Sequence, residues 1–129
     1  MAINNKAILA LSKEDYRSAS LFLEEARLKH PHDPQSWYLS GVLFHKMGNL
    51  LQAREFLVKA VSICPDFYEA YNSLGCVYKD LGEFKNSEKA FSNAIQNSEG
   101  SAELYANRSD LFRQMKAFER AIRDCYLAI

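Results

Sequence analysis

The sequence has few cysteines, and this scarcity argues against two kinds of site. The three cysteines, Cys64, Cys76 and Cys125, are an odd number and include no close pair. Disulfide frameworks use paired cysteines, and structural zinc sites use closely spaced ones. We therefore expect neither a disulfide scaffold nor a zinc site, and we expect reduced thiols in a cytoplasmic protein.

The sequence also lacks an excess of either charge and any long apolar run. Lys+Arg and Asp+Glu both number 16, so the formal net charge at pH 7 is zero. We therefore expect no nucleic-acid partner and no anionic membrane surface. No apolar stretch approaches the roughly 18 residues of a membrane span. The first residues, with Lys6 as their only charge, do not have the pattern of a secretory signal peptide.

Residues that would carry catalysis or hold a cofactor are scarce as well. Gly41 and Gly48 recur 34 residues later as Gly75 and Gly82, and the glycines are not gathered in a phosphate-binding loop. His30, His32 and Asp33 share one predicted linker, but no further candidate ligand lies near them. No nucleophile and base recur at a spacing that would bring them together. The sequence predicts no metal, no cofactor and no enzymatic activity.

What the sequence does contain is a repeat. One order of residues is Trp37, Gly41, Phe44, Gly48, Ala53, Leu57, Ala60 and Pro65. After 34 residues the order returns as Tyr71, Gly75, Tyr78, Gly82, Ser87, Phe91, Ala94 and Glu99. Weaker copies begin at Ile3 and Tyr105. A fixed period with large, small and aromatic residues in matching positions indicates a repeat protein.

This pattern resembles the tetratricopeptide repeat (TPR) family, whose ~34-residue unit has the signature W-x2-L-G-x2-Y, then A-x3-F, then P. The resemblance covers the whole chain as four repeats, about 1–33, 34–67, 68–101 and 102–129, the last truncated. It implies an all-α fold in which helix–turn–helix repeats stack into a right-handed superhelical solenoid. We expect a single domain over residues 1–129.

Each repeat is predicted to hold two helices, A and B. The helices are expected at 1–11, 16–30, 34–47, 50–64, 68–81, 84–97, 102–115 and from 118 onward. Asp33 followed by Pro34 is typical of a helix start. Gly48 and Gly82 lie where a left-handed residue commonly closes a helix, so they place the turn between A and B.

Small residues inside the helices predict close packing. Gly41 and Gly75 lie within helix A, where glycine costs about 1 kcal/mol relative to alanine. We expect them to let helix B approach closely through its own small residues, such as Ala53 and Ser87. The aromatic residues are expected to fill the core around these positions, namely Trp37, Phe44, Tyr71, Tyr78, Tyr105 and Phe112.

The resemblance implies a concave partner-binding face lined mainly by the A helices, starting at Asn4. Its apolar part would hold Ile8, Leu11, Tyr38, Leu39 and Val42. These side chains face solvent in this register, and they either pack between adjacent A helices or anchor a partner. The polar part offers asparagine amides that suit a peptide backbone. The predicted partner-binding residues are Tyr38, Leu39, Val42, Asn72, Cys76, Lys79 and Asn107.

Asn107 is also similar to one residue of the carboxylate-clamp co-chaperones, which bind the acidic tails of cytosolic chaperones. That clamp requires a lysine and an asparagine on the preceding A helix, where this chain has Asn72 and Cys76. Its remaining cations would come from a further repeat. A dianionic tail would not be held without those cations, so the clamp is disfavoured.

The sequence therefore predicts a non-catalytic scaffold that binds a partner's peptide or helix in its groove. The alternative is that the chain is the N-terminal targeting or substrate-recognition part of a larger, possibly enzymatic, protein. A third possibility is self-association through the last B helix, because no polar closing helix follows the apolar positions Ala121, Cys125, Ala128 and Ile129.

Overall fold

The structure is a computed structural model that describes residues 2–129. In that range it contains eight α-helices and no strand. The helices are α1 (Ala2–Ser12), α2 (Tyr16–Lys29), α3 (Pro34–Lys46), α4 (Leu50–Ile63), α5 (Tyr68–Asp80), α6 (Phe84–Gln96), α7 (Ala102–Gln114) and α8 (Phe118–Ala128). The all-α prediction is confirmed, and the helix ends agree with the predicted ones to about the precision of helix assignment.

The helices group into two compact units. Unit 1 (Met1–Pro65) contains α1 to α4, and unit 2 (Asp66–Ile129) contains α5 to α8. In unit 1, α1 pairs with α2 and α3 with α4, while α2 packs on α3 and α1 lies beside α3. Unit 2 has the same arrangement, with α6 on α7 and α5 beside α7. The single domain over 1–129 stays a prediction.

The same turn joins the two helices of every hairpin. Its left-handed residue is Glu14 (φ 57°), Gly48 (φ 81°), Gly82 (φ 79°) or Lys116 (φ 61°). In the second hairpin the N–H of Asn49 donates to the carbonyl of Phe44 at 2.9 Å, and the N–H of Gly48 donates to that of His45 at 3.0 Å. These two bonds define a Schellman motif, which recurs in all four turns.

Side chains cap four of the helix starts. Asp33 accepts from the N–H of Gln35 at 3.0 Å with Pro34 in the first turn, as predicted. Asp15, Asn49 and Ser101 cap α2, α4 and α7 in the same way. The residues that precede α5, α6 and α8 are Phe67, Glu83 and Ala117, and they make no side-chain cap bond. These starts therefore lack a stabilising contact that typically contributes about 1 kcal/mol.

The helical glycines give room to a large residue of helix B, in addition to the small residues that were expected to face them. A Cβ atom added to Gly75 would lie 2.6 Å from the ring of Phe91, and one added to Gly41 would overlap Leu57. The small residue Ser87 has a different role, because its hydroxyl donates to the carbonyl of Gly75 at 2.7 Å. The predicted close approach of the two helices is confirmed, but each helical glycine of helix A also faces a large side chain of helix B.

The aromatic residues are less buried than the repeat pattern predicts. Of the six rings predicted to fill the core, Phe112 alone is buried, and the other five are half-buried, namely Trp37, Phe44, Tyr71, Tyr78 and Tyr105. Large rings with a polar edge commonly keep that edge near water or a hydrogen-bond partner. The indole N–H of Trp37, for example, donates to the carbonyl of Pro31 at 2.9 Å.

Candidate functional site

The polar candidate residues of unit 2 lie on α5 and on the neighbouring α7. Asn72 comes from α5 and Asn107 from α7. The Nδ2 group of Asn107 donates to Oδ1 of Asn72 at 2.9 Å, and both residues are half-buried. This bond uses one donor and one acceptor of the pair. The other amide groups have no hydrogen-bond partner among the described side chains and keep their capacity to donate and accept.

A second bridge joins the same two helices nearer their C-terminal ends. Lys79 of α5 donates to Asp110 of α7 at 3.0 Å, and Arg113 contacts the other oxygen of that carboxylate at 2.8 Å. The hydrogen bond from Lys79 is the main cause that holds the pKa of Asp110 below its usual range, with smaller contributions from the nearby charges. The carboxylate is therefore ionised at neutral pH and offsets part of the positive charge on this face.

Cys76 also lies on α5, between the two bridges in sequence. It is half-buried, and burial raises the pKa of its thiol above the ordinary value. A thiol of raised pKa is a neutral, weakly reactive group at pH 7. Cys76 is therefore suited to contact through packing rather than to nucleophilic chemistry.

The apolar candidate residues of unit 1 differ in how much they reach solvent. Tyr38 and Val42 are half-buried, and Tyr38 packs against the core of unit 1. Leu39 is only 6% exposed and belongs to that core, together with Ala7, Ala10 and Leu43. Leu39 therefore does not face solvent, and its burial beside α1 residues favours the alternative that it packs between adjacent A helices. Ile8, in contrast, is 44% exposed.

The position of Asn4 also differs from the predicted one. It was expected to line an open groove, but it is 4% exposed. Its amide donates to Asp33 at 3.2 Å, and its carbonyl oxygen accepts from Ser36 at 3.4 Å. Asn4 therefore ties α1 to the start of α3, and its polar groups are occupied within unit 1.

Two arginine centres were missed by the sequence reasoning. In unit 2, Arg108 forms two bonds to the buried carboxylate of Asp124, at 2.6 and 2.9 Å, and a third to Ser92 at 3.2 Å. In unit 1, Arg27 lies against the rings of Trp37 and Phe56. A spacing of 16 residues joins Arg108 to Asp124. The same 16 residues separate Gly75 from Phe91, so the offset between facing positions of helices A and B was a signal that could have found the pair.

The described residues show no grouped chemistry beyond these contacts. Between residues 2 and 129, no three His, Cys, Asp or Glu side chains come together in a way that could hold a metal ion. In the same range no helix is both long and apolar enough to traverse a bilayer. The last helix, α8, exposes Ile122, Tyr126 and Leu127. Self-association through this helix stays a prediction.

Comparison with known families supports this architecture. The sequence model described as anaphase promoting complex subunit 8 / Cdc23 matches residues 2–126. The chain belongs to the anaphase promoting complex subunit 8 / Cdc23 family. This family is of the TPR type, so the resemblance inferred from the repeat is confirmed. Family membership and fold together support a protein-interaction scaffold in general terms, and proteins of this type are typically non-catalytic.

Individual relatives of this member of the subunit 8 / Cdc23 family are distant. Human tetratricopeptide repeat protein 7A is 24% identical over 121 residues, which are 94% of this chain and 14% of that protein. The chain thus spans a small part of the length of this relative. Human pre-mRNA-processing factor 6 is 25% identical over 84% of this chain and 11% of its own length.

Solved structures show the same fold. The crystal structure of MamA superposes with a TM-score of 0.90 at 17% identity, over 98% of this chain and 74% of that one. YrrB, described as a TPR protein with an unusual peptide-binding site, superposes with a TM-score of 0.84 at 20% identity, over 95% and 63% of the two chains. At these identities the likeness establishes the fold alone.

Proposed function

We propose that this chain is a non-catalytic interaction module that works within a multi-subunit assembly of the anaphase promoting complex type. The observation that carries the proposal is the match of the subunit 8 / Cdc23 family to residues 2–126. The partner in this proposal is a protein or peptide, and the module acts by presenting preformed helix faces. A preformed face needs little ordering on binding, which favours affinity. The cytoplasmic location remains part of the proposal.

In unit 2, the proposed contact surface is the α5–α7 face. The two asparagines hold each other at 2.9 Å and keep one amide donor and one carbonyl acceptor for a ligand. A polypeptide backbone offers the complementary acceptor and donor. Lys79 and Asp110 bridge the same face at 3.0 Å nearer the C-terminal ends of the two helices. The proposed role of Cys76, between these bridges in sequence, is apolar contact with the same segment.

In unit 1, the proposed anchors are Tyr38 and Val42. Both are half-buried, so each has surface left that a partner could cover. Leu39 acts indirectly in this proposal, because it supports α3 from within the core. An aromatic residue beside a branched aliphatic one is a favourable composition for binding a partner's apolar side chains.

The test is affinity capture from extract of the source cells, with the bound proteins identified by mass spectrometry. The baits are the parent chain, Val42→Arg, and the double variant Asn72→Ala/Asn107→Ala. The matched control is Asn86→Ala, which removes an exposed asparagine of α6. Circular dichroism confirms that each bait is folded.

We expect the parent chain and the control to retain a common protein, with subunits of the anaphase promoting complex as the specific expectation. Removing two amides should weaken capture roughly thirtyfold, because each net hydrogen bond contributes about 1 kcal/mol and about 1.4 kcal/mol is a factor of ten. Val42→Arg should reduce capture by placing a charge among apolar contacts. If all four baits retain the same proteins in the same amounts, the binding surface lies elsewhere.

A second candidate function is that of a targeting or substrate-recognition segment in a larger, possibly enzymatic, protein. The observation that favours it is that the relatives are much longer proteins. The matched region is only 14% of tetratricopeptide repeat protein 7A and 11% of pre-mRNA-processing factor 6. The discriminating measurement is the transcript sequence downstream of Ile129, where a catalytic domain would identify this function.

A further inference from the structure

Arg27 occupies an unusual position in unit 1. Its guanidinium carbon lies 4.5 Å from the ring centre of Phe56 and 5.8 Å from that of Trp37. The guanidinium also donates to the hydroxyl of Ser40. Arg27 thus extends from α2 onto both α3 and α4, and its side chain is partly buried there. Two aromatic faces stabilise the cation, but they do not neutralise it.

No carboxylate of the described residues lies within ion-pair distance of Arg27. The nearest electrostatic influence is Glu24, which acts from one turn earlier on α2 without forming an ion pair, and burial lowers the pKa of the guanidinium. In unit 2, by contrast, the arginine has a counter-charge, because Asp124 binds Arg108 through both carboxylate oxygens. A partly buried cation without a counter-charge costs more free energy than a paired one. Arg27 therefore lacks a counter-charge, and a ligand could supply one.

A second cation flanks the same indole. The ammonium of Lys59, on α4, lies 5.8 Å from the ring centre of Trp37. Lys59 is exposed, and no ion pair engages it among the described residues. Unit 1 as a whole holds eight Lys and Arg against six Asp and Glu, whereas unit 2 holds eight against ten. The excess of positive charge is thus in the unit that contains the Arg27–Trp37–Lys59 cluster.

We propose that Arg27, Trp37 and Lys59 form a docking site for an acidic segment of a partner protein. Carboxylates of that segment bind the guanidinium and the ammonium, and the indole packs against the stems of its side chains. Arginine and tryptophan are the residues most enriched where binding energy concentrates. The site is separate from the α5–α7 face.

The sequence provides its own probe for this site, because Trp37 is the only tryptophan of the chain. The experiment titrates the full 129-residue chain with a short N-acetylated peptide of glutamate and leucine and records tryptophan fluorescence. The control peptide has glutamine in place of every glutamate. We expect a saturable fluorescence change with the acidic peptide alone, and we expect added salt to weaken it because the contacts are ionic.

Three variants locate the binding. Lys59→Gln removes an exposed charge without disturbing the core, and Arg27→Gln removes the partly buried one. Lys13→Gln, in the turn between α1 and α2, is the matched control for loss of a lysine in unit 1. We expect affinity to fall about tenfold or more with Arg27→Gln, which loses a charge-assisted hydrogen bond, and by a smaller factor with Lys59→Gln. Lys13→Gln should bind as the parent chain does.

The proposal is overturned by any of three results: no saturable change with the acidic peptide, equal binding of the glutamine peptide, or unchanged affinity in Lys59→Gln and Arg27→Gln. Lys59→Gln decides the matter if Arg27→Gln does not fold. These variants do not touch α5 or α7, so this outcome is independent of the test of the α5–α7 face.

Discussion

Gly75 shows how one missing side chain fixes the distance between two helices. The space that a Cβ atom would need is filled by the ring of Phe91, which is fully buried. The equivalent pairs in the other hairpins are Ala7 with Leu23, Gly41 with Leu57, and Ser109 with Cys125. Each hairpin thus has its own combination of a small residue on helix A and a residue 16 positions later on helix B.

The first prediction is that Gly75→Ala destabilises the protein and that a smaller residue at position 91 reverses the loss. The added methyl group should cost about 1–3 kcal/mol in the free energy of unfolding, because the core around Phe91 has no room for it. Gly75→Leu should prevent unit 2 from reaching its native packing. Urea denaturation followed by circular dichroism measures both effects.

The control is the double variant Gly75→Ala/Phe91→Leu, which copies the Ala7–Leu23 pair of the first hairpin. It should recover part of the stability that Gly75→Ala loses, since the smaller side chain leaves space for the methyl group. Additive effects of the two substitutions would contradict the contact on which this argument rests.

At the scale of elements, α8 differs from α2 and α4 in how it begins. Asp15 and Asn49 precede α2 and α4, and each accepts from the third residue of its helix. Ala117 precedes α8 with nearly the same backbone, φ −90° and ψ 67°, against φ −85° and ψ 75° at Asp15. The geometry of a cap is present at Ala117, but the acceptor is absent.

The second prediction follows from this comparison. Ala117→Asp should raise the free energy of unfolding by about 1 kcal/mol, because its carboxylate would accept from the N–H of Arg120 and interact with the positive end of α8. Asn49→Ala is the reciprocal control and should lose a similar amount. Thermal unfolding measures both. A lower melting temperature for Ala117→Asp would show that the start of α8 has a different geometry.

Helix positions were predictable from the sequence because their signals are local. Asp33 before Pro34 and the left-handed Gly48 mark helix ends by their own conformational preferences. Glu14 and Lys116 adopt the same left-handed conformation, and residue type alone did not indicate it. The hydrogen bonds of the turn impose that conformation, so it depends on partners several residues away.

The candidate site was predictable only in part. The repeat register identified Asn72 and Asn107 as candidates, but not the bond between them, since the register gives neither the distance between α5 and α7 nor the side-chain rotamers. Leu39 was assigned to the solvent because the register gives a face and not the depth of the neighbouring helix; α1 covers that residue. Arg27 escaped notice because its contacts come from two other helices, α3 and α4.

At the scale of the whole molecule, charge is balanced in total. Lys+Arg 16 against Asp+Glu 16 leaves no net repulsion between copies at pH 7. Proteins associate and precipitate most readily where their net charge is close to zero.

The third prediction is therefore a solubility minimum near neutral pH. Solubility should rise toward about pH 9, where the net charge is negative, and toward about pH 5, where the net charge is positive. Precipitation with polyethylene glycol across this pH range measures it. Gln96→Lys, an exposed substitution on α6, should move the minimum to higher pH. A minimum that stays in place would mean that apolar contacts govern the association.

The pairing of a small residue on helix A with its own residue on helix B also bears on how such a gene can recombine. A crossover between hairpins, as at 30–33 or 97–101, exchanges Gly75 together with Phe91 and leaves each pair intact. A crossover inside a hairpin turn would join the Ala7 helix to the Phe91 helix and set a methyl group against a ring that needs a glycine. The unit that recombination can exchange without loss of packing is therefore the whole hairpin, and crossovers are tolerated in the linkers between hairpins.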